Sequence, residues 1–554
     1  MVALSQYFGA QHGGKARFGF HIQDGSVTSR IMAAVVLEFI LAQDMSIYYY
    51  NMTGASQTMI TDLTPFVSTN GTFDGVGYEA ALNTPMPDME TSVLTLLNSG
   101  DTAWMLTATA LVLLMTPGVA FFYGGMVRHK NVISTIMQSF ITMGIVTVIW
   151  VFLGFSLAFG NDIKYENGAA YANGQVPAQP NYPDPSQSPS DPNYFASSHG
   201  SIFGNPKTYY FYKDVGAAPN SNLAPTIPFV LYSLFQLVFA IITPALLTGG
   251  FAERVKFSSL SLFVVLWHLI VYCPLAHSVW HYNGILRRFG TLDFAGGTVV
   301  HMSSGWASFA GSWFLGPRKD TSNTPANVPF VLLGTAMLWF GWFGFNPGSA
   351  LAAGPAAAQA FCTTNMAAAS AMIAWLLVDV ARGYKARATG ACAGAVVGLV
   401  VITPAAGYVN VGAALIMGVV GSVVCHTVAH AVKSTRFDDT LDSFSCHGVG
   451  GTVGILMTGL FATLEVYPGG FDGGFYNKKA FLFWHHIVMI TDLILPMRVD
   501  EAAESIGLDV SQHGEKLGVH VDDEEFLAKI NASVKGVQAS AYNANRANLP
   551  GVGI

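Results

Sequence analysis

Apolar segments of about 20 residues, separated by short polar turns, recur between positions 104 and 496 of this chain and constrain it more than any other feature. That is the length a helix needs to cross the hydrocarbon core of a membrane. In lipid the backbone must satisfy its own polar groups, so such segments are helices. With 51% hydrophobic and only 11% charged residues over 554 positions, the chain does not read as a set of soluble domains. Its 58 glycines fit the same reading, because small residues let membrane helices approach closely. Cys273, Cys362, Cys392, Cys425 and Cys446 all fall inside apolar spans and read as reduced, small hydrophobes.

The apolar runs lie near 104–124, 132–158, 227–250, 257–276, 294–316, 329–351, 361–381, 389–407, 411–432, 445–464 and 480–496, eleven in all. An odd number places the termini on opposite sides. Positive residues collect on the cytoplasmic side, and one set of turns holds Arg128, Lys130, Arg254, Lys256, Arg318, Lys319, Arg382, Lys385, Arg387, Lys433 and Arg436. The other set is poorer, with Arg287, Arg288, Lys478, Lys479 and three lysines in one long loop. The expected architecture is therefore an all-α integral membrane protein with an extracellular N-terminus and a cytoplasmic C-terminus.

Three segments stand outside this core. Residues 1–100 form an N-terminal extension, extracellular or signal-like, whose one apolar patch (IMAAVVLEFILA) is too short to span. It carries two glycosylation sequons, at Asn51 and Asn70. Residues 160–226, rich in Pro, Asn, Ser and Tyr, read as a long external loop, and 497–554 as a polar cytoplasmic tail following the membrane domain of 101–496.

Ionisable groups within a span are costly and mark functional candidates. His301 lies in the fifth span (GGTVVHMSSG) and His447 in the tenth (SCHGVGGTVG), each in a glycine-rich setting. The five-span spacing suggests inverted-topology repeats with a site between them. Burial disfavours the charged imidazolium, so both rings are read as neutral, each with one donor and one acceptor. A facing pair sharing a proton and two separate histidines bonded to helix backbone are both open on this evidence. Asp293, just before the fifth span, suits a helix cap, and stands roughly 12 Å along a helix from His301. Phe235 and Phe239, like Phe345 and Ser349, are spaced to share a helix face. Core packing explains such pairs equally well. Trp280, after the fourth span, suits an interfacial anchor or a cation-holding face.

Taken together, residues 102–515 resemble the ammonium transporter (Amt/Mep) family. The segment DFAGGTVVHMSSGWASFAGSWFLGPR at 293–318 is similar to the family signature throughout. FFYGGMVRHKN, FAERVKFS, WFGFNPGSA and DDTLDSFSCHGVGGTVG follow the family's order. The resemblance implies an eleven-helix bundle of two inverted five-helix repeats, assembled as a homotrimer with one pore per subunit in the plasma membrane. It implies that Trp280, Ser349 and Phe239 recruit external ammonium (methylammonium as analogue), with Asp293 in support, and that Phe239 and Phe345 form a stacked gate. His301 and His447 would be the twin histidines of the pore. Phe235, Gly296 and Asp442 match family positions with less direct roles. The implied mechanism takes up the cation, deprotonates it, and passes ammonia with a separate histidine and water proton relay. The segment GLDVSQHGE at 507–515 is similar to the family's regulatory tail, with Ser511 as a phosphosite for a cytoplasmic kinase or signalling partner.

The last span, AFLFWHHIVMITDLILP, is short for the family and contains His485, His486 and Asp492, which leaves a truncated or impaired member open. Two other readings are an ammonium sensor with little flux, and a membrane cytochrome using His268, His426 or His430. No nucleophile elbow, phosphate loop or cluster of metal ligands is visible, so neither an enzyme, a cofactor, a metal nor a nucleic-acid partner is expected.

Overall fold

In the computed structural model, residues 97–161, 200–322, 324–435, 437–476 and His486 are described. Asn51, Asn70, Ser511, residues 1–96 of the N-terminal extension, the tail and, apart from His486, the last span lie outside them. Among the described residues the protein is all-helical, with isolated bridges only at Ser201–Gly284 and Asn220–Ala224.

Among the described residues ten long helical segments follow one another, with short helical turns at Tyr210–Tyr212 and Ile285–Arg288 between them: α1 (Ser99–Met126), α2 (His129–Phe159), α3 (Phe229–Phe251), α4 (Phe257–Trp280), α5 (297–315), α6 (Val328–Gly348), α7 (Pro355–Ala381), α8 (Ala388–Ile402), α9 (Val411–Lys433) and α10 (Phe444–Phe461). Eight are long and apolar enough to cross a membrane; α5 and the 15-residue α8 are the others. Side chains set many of the boundaries. Asn98, Asn327 and Asn410 cap α1, α6 and α9 by accepting the N–H groups of Asp101, Phe330 and Ala413. Gly316, with φ of 72°, turns the chain out of α5 just ahead of Pro317.

α3 is apolar all round and enclosed almost completely, which places it at the centre of the bundle. Peripheral helices instead expose Ile133, Val148, Ile270, Ile373 and Leu377, an outer face suited to lipid. α1 and α6 pack most intimately. A Cβ on Gly334, Gly341 or Gly344 of α6 would stand 2.6 to 2.7 Å from the carbonyl oxygens of Gly118, Leu111 and Ala108 on α1. Backbone crowds all three positions, with the Met115 side chain closer still at Gly341, so a methyl group has nowhere to go.

Four helices contain a π-turn: α2 at Trp150–Gly154, α4 at His268–Tyr272, α5 at Gly297–Met302 and α10 at Phe444–Val449. The last two open their helices and carry His301 and His447. At one end of the bundle a polar lattice ties four turns together. The Glu253 carboxylate accepts from Arg128, Asn131 and Arg318, and Arg318 also pairs with Asp438. Glu253 holds a positive φ of 69° to reach them.

Candidate functional site

The end of the bundle away from Glu253 opens into a cavity of about 210 Å³ lined by Phe239, Trp280, Asp293, Ser349, Gln236 and Tyr232 among others. Trp280 is the last residue of α4, and its indole N–H donates to the Asp293 carbonyl at 3.2 Å. The ring stands edge-on to Phe239, centroids 5.8 Å apart and planes at 89°. Ser349 follows α6 and its hydroxyl donates to the Phe345 carbonyl at 2.9 Å.

The Asp293 carboxylate is buried and accepts backbone N–H groups from Gly296, Gly297, Thr298 and Val299 at 2.7 to 3.4 Å. These are the donors that the π-turned opening of α5 leaves without helical partners. Burial raises this carboxyl above its ordinary range, against the pull of the four N–H groups. Gly296 has φ of 109°, and a Cβ there would stand 3.2 Å from the Trp280 ring. Only glycine accepts both conditions.

Beyond the cavity, Phe239 and Phe345 lie ring over ring at 4.2 Å, with Phe235 against Phe239 at 4.9 Å. All three are buried. Next comes His301, stacked 5.9 Å from Phe345 and 5.4 Å from Trp342. His447 stacks on His301 at 5.3 Å, their Nδ1 atoms 3.3 Å apart. One ring therefore donates and the other accepts. The Nε2 of His301 is buried and has no hydrogen-bond partner among the described residues. Just past the histidines, Gly305 of α5 and Gly448 of α10 touch backbone to backbone. The structure thus joins in one line the residues that the sequence placed on five separate segments.

One residue of this line was missed. Asp439 stands eight positions before His447, as Asp293 does before His301. Its carboxylate accepts the N–H groups of Ser443, Phe444 and Ser445 at 2.9 to 3.2 Å, capping the π-turned opening of α10. Burial and repulsion from Asp442 push this carboxyl up to about 7. Asp442, the residue singled out from the sequence, instead holds Lys433 at 2.8 Å on the rim. The eight-residue spacing from Asp to His was the signal that could have found Asp439.

His268 lies on α4, away from His426 and His430, with its Nε2 2.7 Å from where a Cβ on Gly154 would stand. His426 and His430 stack 4.3 Å apart on one face of α9. Two rings so placed cannot ligate opposite faces of one porphyrin. Asp379 of α7 joins these two histidines, ligand atoms of all three lying within 4.8 Å of one another. Residues 47 apart, on different helices, come together only in the fold.

The described residues thus form a polytopic helical membrane protein with a buried histidine pair beneath an aromatic constriction. The family model described as Ammonium Transporter Family matches residues 103–517. An ammonium transporter of Bacillus subtilis is 42% identical over 436 residues, covering 75% of this chain and 98% of that protein. Ammonium transporter 1 of Schizosaccharomyces pombe is 36% identical, covering 80% and 86%. The crystal structure of Saccharomyces cerevisiae Mep2 is similar with a TM-score of 0.62 and 32% identity, covering 72% of this chain and 85% of that one. The chain belongs to the ammonium transporter family.

Proposed function

We propose that this protein takes up ammonium electrogenically, by recruiting the cation, deprotonating it and conducting ammonia past His301 and His447. The observation that carries the reading is the histidine pair, Nδ1 to Nδ1 at 3.3 Å, directly beneath Phe239 and Phe345, whose rings lie 4.2 Å apart with planes tilted at 33°. Moving a bare cation through such walls costs on the order of 20 kcal/mol by an idealised Born estimate, and the neutral molecule avoids most of that. The Trp280 face supplies about 0.5–2 kcal/mol of cation attraction at the entrance, next to the Ser349 hydroxyl. Asp293 holds the turn that shapes this entrance. The open Nε2 of His301 gives a passing molecule a polar partner in an otherwise apolar passage, and the shared Nδ1 contact gives a proton a separate route.

The matching Asp and His pairs of α5 and α10 support two inverted five-helix halves within an eleven-helix bundle. A plasma-membrane homotrimer with an external N-terminus and an internal tail, regulated at Ser511, completes the proposal. The test is ammonium-evoked current in a transporter-deficient cell. His301→Ala should abolish it; a current equal to that of the parent protein rules out the relay.

A further inference from the structure

We propose that the ends of α7 and α9 form a binding site for a divalent, nitrogen-preferring metal ion such as zinc, held by Asp379, His426 and His430. His426 and His430 are one helical turn apart, so both imidazoles project from the same face of α9. Asp379 reaches that face from α7, its Oδ1 3.0 Å from His426 Nε2. One ligand atom from each residue lies within 4.8 Å of the other two. Tetrahedral zinc with ligands at about 2.0–2.2 Å sets its donors roughly 3.3–3.5 Å apart. The Asp379 and His426 atoms, 3.0 Å apart, need to part by only a few tenths of an ångström, and His430, half-buried, needs a small side-chain shift.

Two further observations favour a ligand over a plain helix tie. His430 Nδ1 donates to the His426 carbonyl at 3.0 Å, which leaves its Nε2 as a lone pair. Asp379 is fully buried, yet its Oδ2 has no hydrogen-bond partner, a cost that a closed structural lock would not carry. Two arginines lie against the same two side chains. Arg382 Nη1 lies 3.4 Å from His426 Nδ1, and Arg387 Nη2 lies 3.9 Å from Asp379 Oδ1. Both side chains belong to exposed residues and can turn to solvent. Metal loading then moves the His426 proton from Nε2 to Nδ1, and the two imidazoles and one carboxylate leave a fourth position for water.

The full-length protein, purified without a polyhistidine tag and stripped with chelator, should bind one equivalent of zinc per chain. Cobalt should give the visible absorption of a four-coordinate site. His430→Gln should weaken binding about 10-fold or more, while exposed His129→Gln should leave it unchanged. Zinc should raise the melting temperature of the parent protein and not that of His430→Gln, a readout independent of how well Asp379 variants fold. No stoichiometric binding, or equal binding by the parent and His430→Gln, overturns the site.

Discussion

Asp293 and Asp439 occupy matching places, each eight residues ahead of a buried histidine and each accepting the backbone N–H groups that open a π-turned helix. The carboxylates therefore set where α5 and α10 begin, and so where His301 and His447 stand. Replacing a cap of this kind by Ala costs about 0.5–2 kcal/mol. Asp439→Ala and Asp293→Ala should each lower the melting temperature of the purified protein and reduce ammonium current with it. An Asp439→Ala protein with unaltered melting and current would remove it from the site.

At the cavity, Trp280→Ala deletes an indole face while leaving the histidines untouched. The apparent KM for methylammonium should rise about 2- to 30-fold, the equivalent of 0.5–2 kcal/mol, with a smaller effect on maximal current. Concentration series in the same cell separate the two. A fall in maximal current with constant KM would place Trp280 in folding rather than recruitment.

The α1 and α6 contact predicts a different outcome. Gly344→Val forces side-chain atoms against the Ala108 carbonyl, a strain of roughly 1–3 kcal/mol or more. Folded yield and melting temperature should both drop, whereas Gly354→Ala, where a Cβ meets open space, should be tolerated.

Acid should loosen the Glu253 lattice. Burial works to raise this carboxyl, but hydrogen bonds from Arg128, Asn131 and Arg318 overcome it and hold it down to about 2. Because the folded value is depressed, the stabilisation is present above the ordinary carboxylate range. It is lost as pH falls from there toward about 2. Unfolding midpoints measured across that window should slope downward for the parent protein and less steeply for Glu253→Gln.

Apolar run length was enough to find the ten described helices, because lipid crossing imposes both length and composition. It was weaker at their ends. The seventh span begins at Pro355 rather than near 361, since the alanine-rich first turn after Gly354 is helical without being strongly apolar. The eighth helix stops at Ile402, ahead of Thr403 and Pro404, although the apolar run continues toward 407. Trp280 closes α4 instead of following it, because the π-turn at His268–Tyr272 belongs to the same continuous helix. Extra residues of that kind leave no periodic trace. The meeting of His301 with His447, and of Asp379 with His426, depends on helix crossing, which spacing along one chain does not encode. His486 shows the same limit. It was noted only as a polar intruder in a short span, and it is buried, accepting the Leu292 N–H at 3.3 Å beside the Asp293 turn.

At Gly305 and Gly448, α5 and α10 meet through main-chain atoms, which limits how closely the two backbones carrying His301 and His447 approach one another. A methyl group added at Gly305 would wedge the two helices apart, and with them the backbones from which both imidazoles project.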